Sequence, residues 1–183
     1  MKKMIKCFVI AAVMLTPIFL QAQSPLDKIF AKYAGNDKFT TVNFSKEMFQ
    51  MFASMADPKD TSNAAFQKAI SKMTGLKVVS MDVDTLKPAA AMAFYNEAAA
   101  VFPPAVYKEL MNVTDKGTNV RFLTKEDTKG IITELVMLEK GKKDALVMSI
   151  TGIIDLATVS KISKSMNIQG LDELKKYKQP HKK

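Results

Sequence analysis

Apolar residues recur along this chain in two rhythms, helical over much of the first half and strand-like in most of the second. Leu26, Ile29, Phe30 and Tyr33 are spaced i, i+3, i+4, i+7, which is one buried face of a helix. Ser24, Pro25 and Asp27 give that helix a serine cap, a proline in its first turn and an acid three residues after the cap, and Gly35-Asn36 ends it. In "KFTTVNF", Phe39, Thr41 and Asn43 alternate with Thr40, Val42 and Phe44, so this stretch predicts a strand. Ser45 is placed to cap a second helix, with Glu47 in its first turn. There Met48, Met51, Phe52 and Met55 repeat the helical spacing, with Glu47, Gln50 and Ser54 on the opposite, wet face. After the turn-forming "DPKDTS", Phe66, Ala69, Ile70 and Met73 predict a third helix that stops at Gly75.

"LKVVSMDVD" predicts the second strand, and Pro88 opens an alanine-rich helix closed by Pro103 and Pro104. "ELMNV", "TNVRFLTK", "IITELVMLEK" and "DALVMSITG" are short strand patterns separated by "TDKG", "EDTKG" and "GKK", the layout of successive hairpins. Asp155 then caps a helix bearing Leu156, Val159, Ile162 and Met166. The expected fold is α+β: a mainly antiparallel sheet of about five to six strands with a C-terminal hairpin meander, packed with amphipathic helices. "ELVMLE" departs from clean alternation. Leu135 and Met137 are apolar on one face, and so are Val136 and Leu138 on the other. An antiparallel sheet with one wet face alternates more cleanly, so either helices cover both faces or one apolar face awaits a protein partner.

The N-terminus changes the picture of the whole chain. Lys2, Lys3 and Lys6 precede an apolar run from Cys7 to Leu20, and Ala22 follows it, which predicts a signal peptide over residues 1–22 cleaved after Ala22. The run, broken by Thr16 and Pro17, is short of the roughly 20 residues that a spanning helix needs. The expected destination is the periplasm or the exterior. Cys7 stands at the start of the run rather than at the cleavage point, so a lipoprotein is not expected. The mature chain would then hold no cysteine, which leaves out disulfides, thiolate metal sites and cysteine nucleophiles. Residues 23–174 have the length of one domain, and 175–183 form a Lys-rich flexible tail. Of the 27 basic residues three leave with the leader and five crowd that tail, so the body nearly balances its 18 acidic residues despite a formal net charge of +9. A nucleic-acid binder would spread its positive charge over a folded face, so nucleic acid is not expected as a partner.

The candidate chemistry is sparse. Met48, Met51 and Met55 are thioethers that could suit Cu(I), but Phe49 and Phe52 share their helix, no cysteine or histidine is near, and a core needs such a stripe. They are assigned to the core. Asp82 and Asp84, two apart at a strand end, could be paired carboxylates of a hydrolase or ligands of a hard cation, yet no further ligands are evident and a polar strand end accounts for them. The single histidine, His181, lies in the tail, where nothing would hold a general base. Ser45 and Lys46 could form a serine–lysine pair, but Ser45 already has a capping role. No catalytic residue, cofactor-binding residue or metal ligand is therefore assigned. Lys175, Lys176, Lys178, Lys182 and Lys183 could contact an anionic surface, or simply solvate the terminus.

Four stretches, "LDKIFAKYAG", "VNFSKEMF", "YKELMNVTDKG" and "MSITGIIDLATVSKI", resemble a family of small exported proteins of Bacteroidota-type bacteria, the domain-of-unknown-function family numbered 4252. They span nearly the whole mature chain in the family's order. The resemblance implies an exported α+β domain and hints at envelope signalling, but supplies no catalytic residues. Many members look like lipoproteins, from which this chain departs. The function expected is that of an exported, non-enzymatic envelope protein acting through protein contacts. The alternatives are a small-ligand carrier with a pocket between helices and sheet, or a hydrolase using Asp82 and Asp84.

Overall fold

The structure, a computed structural model, describes residues 24–55, 64–81 and 88–156. The expected signal segment, Asp82 and Asp84, the helix expected beyond Leu156 and the expected lysine tail lie outside the described residues, as does the side chain of Phe66.

Among the described residues ten elements follow one another: α1 (Leu26–Tyr33), β1 (Phe39–Ser45), α2 (Lys46–Met55), α3 (Ala64–Ile70), β2 (Met73–Met81), α4 (Pro88–Ala100), β3 (Lys108–Asp115), β4 (Thr118–Glu126), β5 (Ile132–Lys140) and β6 (Ala145–Gly152). The six strands form one antiparallel sheet in the order β1-β2-β6-β5-β4-β3. The α+β class and the hairpin meander expected from the strand patterns are both present. Turn chemistry explains the meander. Lys116 and Gly117 both take positive φ, 48° and 90°, in the two-residue β3–β4 turn, the conformation that matches the twist of a tight hairpin. Asp127 closes the β4–β5 loop by accepting the amides of Lys129 and Ile131 at 2.8 and 2.9 Å.

Strand alternation divides the core between the two sheet faces. On one face Val79, Leu123, Val136, Leu138 and Val147 pack with Leu26 and Ile29 of α1 and with Ala91, Phe94 and Ala98 of α4. On the other, Phe122, Leu135, Met137, Met148 and Ile150 cluster with Phe49 of α2, Ile70 of α3, Ile154 and Leu156. Leu135, Val136 and Leu138 have no exposed surface and Met137 has 2 %. The continuous apolar run in β5 is thus the mark of a strand buried on both sides. Burial at this level contributes about 1.5–3 kcal/mol per large apolar side chain.

Three local expectations are corrected. The third helix ends at Ile70, and Met73 and Gly75 belong to β2, so that strand starts three residues earlier than "LKVVSMDVD" suggests. Its early start is held by pairing with β6, where Met73 lies opposite Gly152 and Gly75 opposite Thr151, a long-range match that no local pattern reveals. In α1 the capping position falls to Pro25, and the Ser24 hydroxyl serves another group as well as the Leu26 amide, 3.3 Å away. The third correction concerns α2. Its buried residue is Phe49, whereas Met51, Phe52 and Met55 are 48, 42 and 73 % exposed and Met48 is half-buried. The helix follows β1 without a loop, so the strand sets its rotation. Phe49 and Phe52 lean toward Phe44 of β1, with ring centroids 6.2 and 6.3 Å away. The inward face is therefore offset by one residue, roughly 100° of helix rotation, from the methionine stripe.

Candidate functional site: a buried carboxylate beside a polar cleft

β5 carries one acidic residue toward the α1–α4 side of the sheet. Glu134 shares its strand face with Val136 and Leu138 and is 3 % exposed. A carboxylate in such a place is stable only when its oxygens are hydrogen-bonded. Three hydroxyls supply the bonds: Ser24 and Ser149 donate to Oε1 at 2.6 Å each, and Tyr107 donates to Oε2 at 2.7 Å. The donors come from three places in the chain. Ser24 precedes α1, Tyr107 precedes β3, and Ser149 stands on β6 as a diagonal neighbour of Glu134, which pairs with Thr151. Burial first, and then the bond to Glu134, push the Tyr107 phenol far above its ordinary range and keep it protonated. Lys125 of β4 stands opposite Glu134 in register, yet none of the ion pairs among the described residues includes Glu134.

Beside this network on the same sheet face lies a cleft of about 500 Å³. Its floor is the cross-strand block of Gly75 and Lys77 on β2 with Thr151 and Ser149 on β6. Ser24 and Asp27 form one wall from the start of α1, and Asn43 with the β1–α2 junction forms the other. Lys77 pairs with Asp27 inside it, linking floor to wall. Glycine at position 75 keeps the floor open: a Cβ there would stand 2.9 Å from Thr151 Oγ1. At the junction the Ser45 hydroxyl accepts the Met48 amide at 3.4 Å, the capping role expected of it. A bond from Ser45, and then one to its own backbone amide, hold the Glu47 carboxyl below its usual range.

The residues singled out from the sequence are scattered relative to this site. Ser45 and Lys46 reach the cleft rim as capping and surface residues, both exposed. Met48, Met51 and Met55 lie along α2, outside the cleft lining. Exposure removes the core account of Met51 and Met55, and the helical spacing is all that the stripe then shares with a thioether metal site. Among the described residues no group of three or more His, Cys, Asp or Glu side chains is gathered as a metal site would require. Sequence reasoning missed Glu134, Tyr107 and Ser149. One signal was available: a lone acid inside the apolar run "IITELVML", at a position whose strand neighbours on the same face are Val136 and Leu138.

The model for Domain of unknown function (DUF4252) matches residues 33–162. The chain belongs to the DUF4252 family. The matched span carries Lys77, Tyr107, Glu134 and Ser149, so the sheet side of the cleft falls within the DUF4252 domain, while Ser24 and Asp27 precede it. No curated protein matches the chain. Among the described residues of this DUF4252 protein no helix is long and apolar enough to cross a membrane.

Proposed function

We propose that this DUF4252 protein is an exported, non-enzymatic binding protein of the cell envelope that holds a small polar molecule in the cleft between α1 and the sheet. The cleft carries the reading. Its volume is in the range of small-molecule sites. Its floor offers hydroxyls and a lysine–aspartate pair rather than the apolar lining that a lipid carrier needs. The leader-like N-terminus supports export, and a mature chain whose only histidine is in the tail supports binding over catalysis. Mass analysis of the protein recovered from cell fractions tests both parts. The expected result is a chain beginning at or within a few residues of Gln23, with a small molecule retained under native ionisation. An intact chain held in the membrane would overturn export.

A second reading, contact with an envelope protein, draws on the outward face of α2. Met51, Phe52 and Met55 leave on that helix the exposed apolar surface that the sheet faces lack. It expects a photo-crosslinking residue at position 55 to capture one discrete partner in intact cells, and the same residue at Gln50 to capture none. The lysines Lys175, Lys176, Lys178, Lys182 and Lys183 add a contact with anionic surfaces, which salt-sensitive binding to phosphatidylglycerol vesicles would report.

A further inference from the structure

The protons of the cleft hydroxyls are already committed. Ser24 and Ser149 both give theirs to Glu134 Oε1, at 2.6 Å each. The Thr151 hydroxyl points to the Gly75 carbonyl at 3.4 Å while accepting from Thr74 at 3.1 Å. A hydroxyl has one proton, so once that proton is spent inward its oxygen can meet a ligand only as an acceptor. Ser24 and Ser149 both line the cleft. A carboxylate behind them strengthens this bias, because a chain of polarised hydroxyls passes its partial negative charge toward the cleft.

The charges point the same way. Lys77 and Asp27 neutralise each other in an ion pair across the cleft. At the rim Lys46 and Glu47 offset one another. Glu134, beside the floor on the same sheet face, accepts its hydrogen bonds from three neutral hydroxyls, and Lys125, opposite it in register, forms no ion pair with it.

We propose that the cleft recognises its ligand through a cationic, hydrogen-bond-donating head, a primary ammonium or a guanidinium group. The inference rests on the ligand-binding reading above and specifies its chemistry. An ammonium has donors and no acceptor, which suits the acceptor oxygens of Ser24, Ser149 and Thr151. A carboxylate or phosphate head would meet those same lone pairs without a proton to share. Lys77 shows that the site tolerates an ammonium: its own head sits in the cleft against Asp27.

Titration of the purified, isotope-labelled protein with four probes tests the proposal: ethanolamine, agmatine, glucose and succinate. The two cations should move the backbone amides of Gly75, Ser149 and Thr151 at millimolar concentration, and glucose and succinate should not. Glu134→Gln keeps the size and hydrogen-bonding capacity of the side chain but removes its charge. It should weaken the binding of the cations about tenfold or more, the scale of a lost charge-assisted contact. Asp27→Asn, on the α1 wall of the cleft, provides a second variant outside the hydrogen bonds of Glu134, and should weaken them in the same direction. Cation affinity unchanged in both variants, or binding of succinate or glucose in place of the cations, overturns the cationic head and leaves the ligand-binding reading standing. Silence of these amides toward all four probes overturns the ligand-binding reading itself.

Discussion

Tyr107, one residue before β3, reaches past β4 to donate its hydroxyl to Glu134 Oε2 on β5 at 2.7 Å. The bond ties the edge hairpin to the strand that carries the buried carboxylate. Its ring also packs edge-on against Phe102, with centroids 5.1 Å apart, at the end of the α4 connection. Tyr107→Phe keeps the packing and removes one of the three donors, so unfolding in urea should show a loss of about 1–3 kcal/mol. Glu134→Ala strips the acceptor from three hydroxyls at once and should cost more than about 3 kcal/mol.

The same phenol sets the alkaline limit of stability. Burial and the Glu134 bond raise the Tyr107 pKa above its ordinary value of 10.0, and burial and Glu97 do so for Tyr33. Below pH 10 both phenols are protonated in the folded and unfolded chain alike, and their contribution is fully present. Above it the unfolded state releases protons that the folded state keeps, so stability falls as pH rises. Melting temperatures measured from pH 9 to 11 should drop more steeply for the wild type than for Tyr107→Phe.

Glu139 has the same sign on the acid side of the pH scale. Burial, and then the charge of Asp144, raise its pKa above the ordinary 4.5. The folded state then holds its proton more tightly, so stability declines as pH rises from about 4.5 through the folded-state value. Glu139→Gln should raise stability at pH 7 by about 0.5–1 kcal/mol, and the gain should vanish at pH 3. A gain of equal size at both pH values would assign the effect to packing instead.

Gly152 and Gly75 face each other's strands and differ in how much room they have. A Cβ at Gly152 would meet the Lys72 carbonyl oxygen at 2.3 Å and Met73 Cα at 2.8 Å, and φ there is 137°. Because the obstacle is backbone, Gly152→Ala should cost more than about 3 kcal/mol. At Gly75 the obstacle is the Thr151 hydroxyl, so Gly75→Ala should cost about 1–2 kcal/mol and lose much of that cost in a Thr151→Ala background. Chemical denaturation of the two single variants and the double variant supplies the cycle.

Burial on α2 assigns stability to Phe49 rather than to the methionines. Phe49→Ala should cost about 3–5 kcal/mol, whereas Met55→Ala, at 73 % exposure, should cost under about 0.5 kcal/mol. A large loss at Met55 would return that side chain to the core.

The element order and the α+β class were legible because they are local. Helical and strand spacing, the Lys116-Gly117 turn and the prolines around α4 act within a few residues of themselves. The double-sided apolar pattern of β5 left open whether helices cover both faces or one face awaits a partner, and apolar packing on both sides of the sheet decides for the helices. What lay beyond the sequence were the quantities set by distant partners. The early start of β2 depends on β6, which follows it some 70 residues later. The rotation of α2 depends on Phe44 beneath it; the spacing of Met48, Met51 and Met55 describes a stripe but not the direction it faces. The cleft depends on both kinds of contact. Ser24, Tyr107, Glu134 and Ser149 are separated by as many as 125 positions, and only the tertiary fold brings the three hydroxyl oxygens within 2.7 Å of a Glu134 carboxylate oxygen. A sequence shows which residues can donate or accept a proton; folding alone decides which of them must share one.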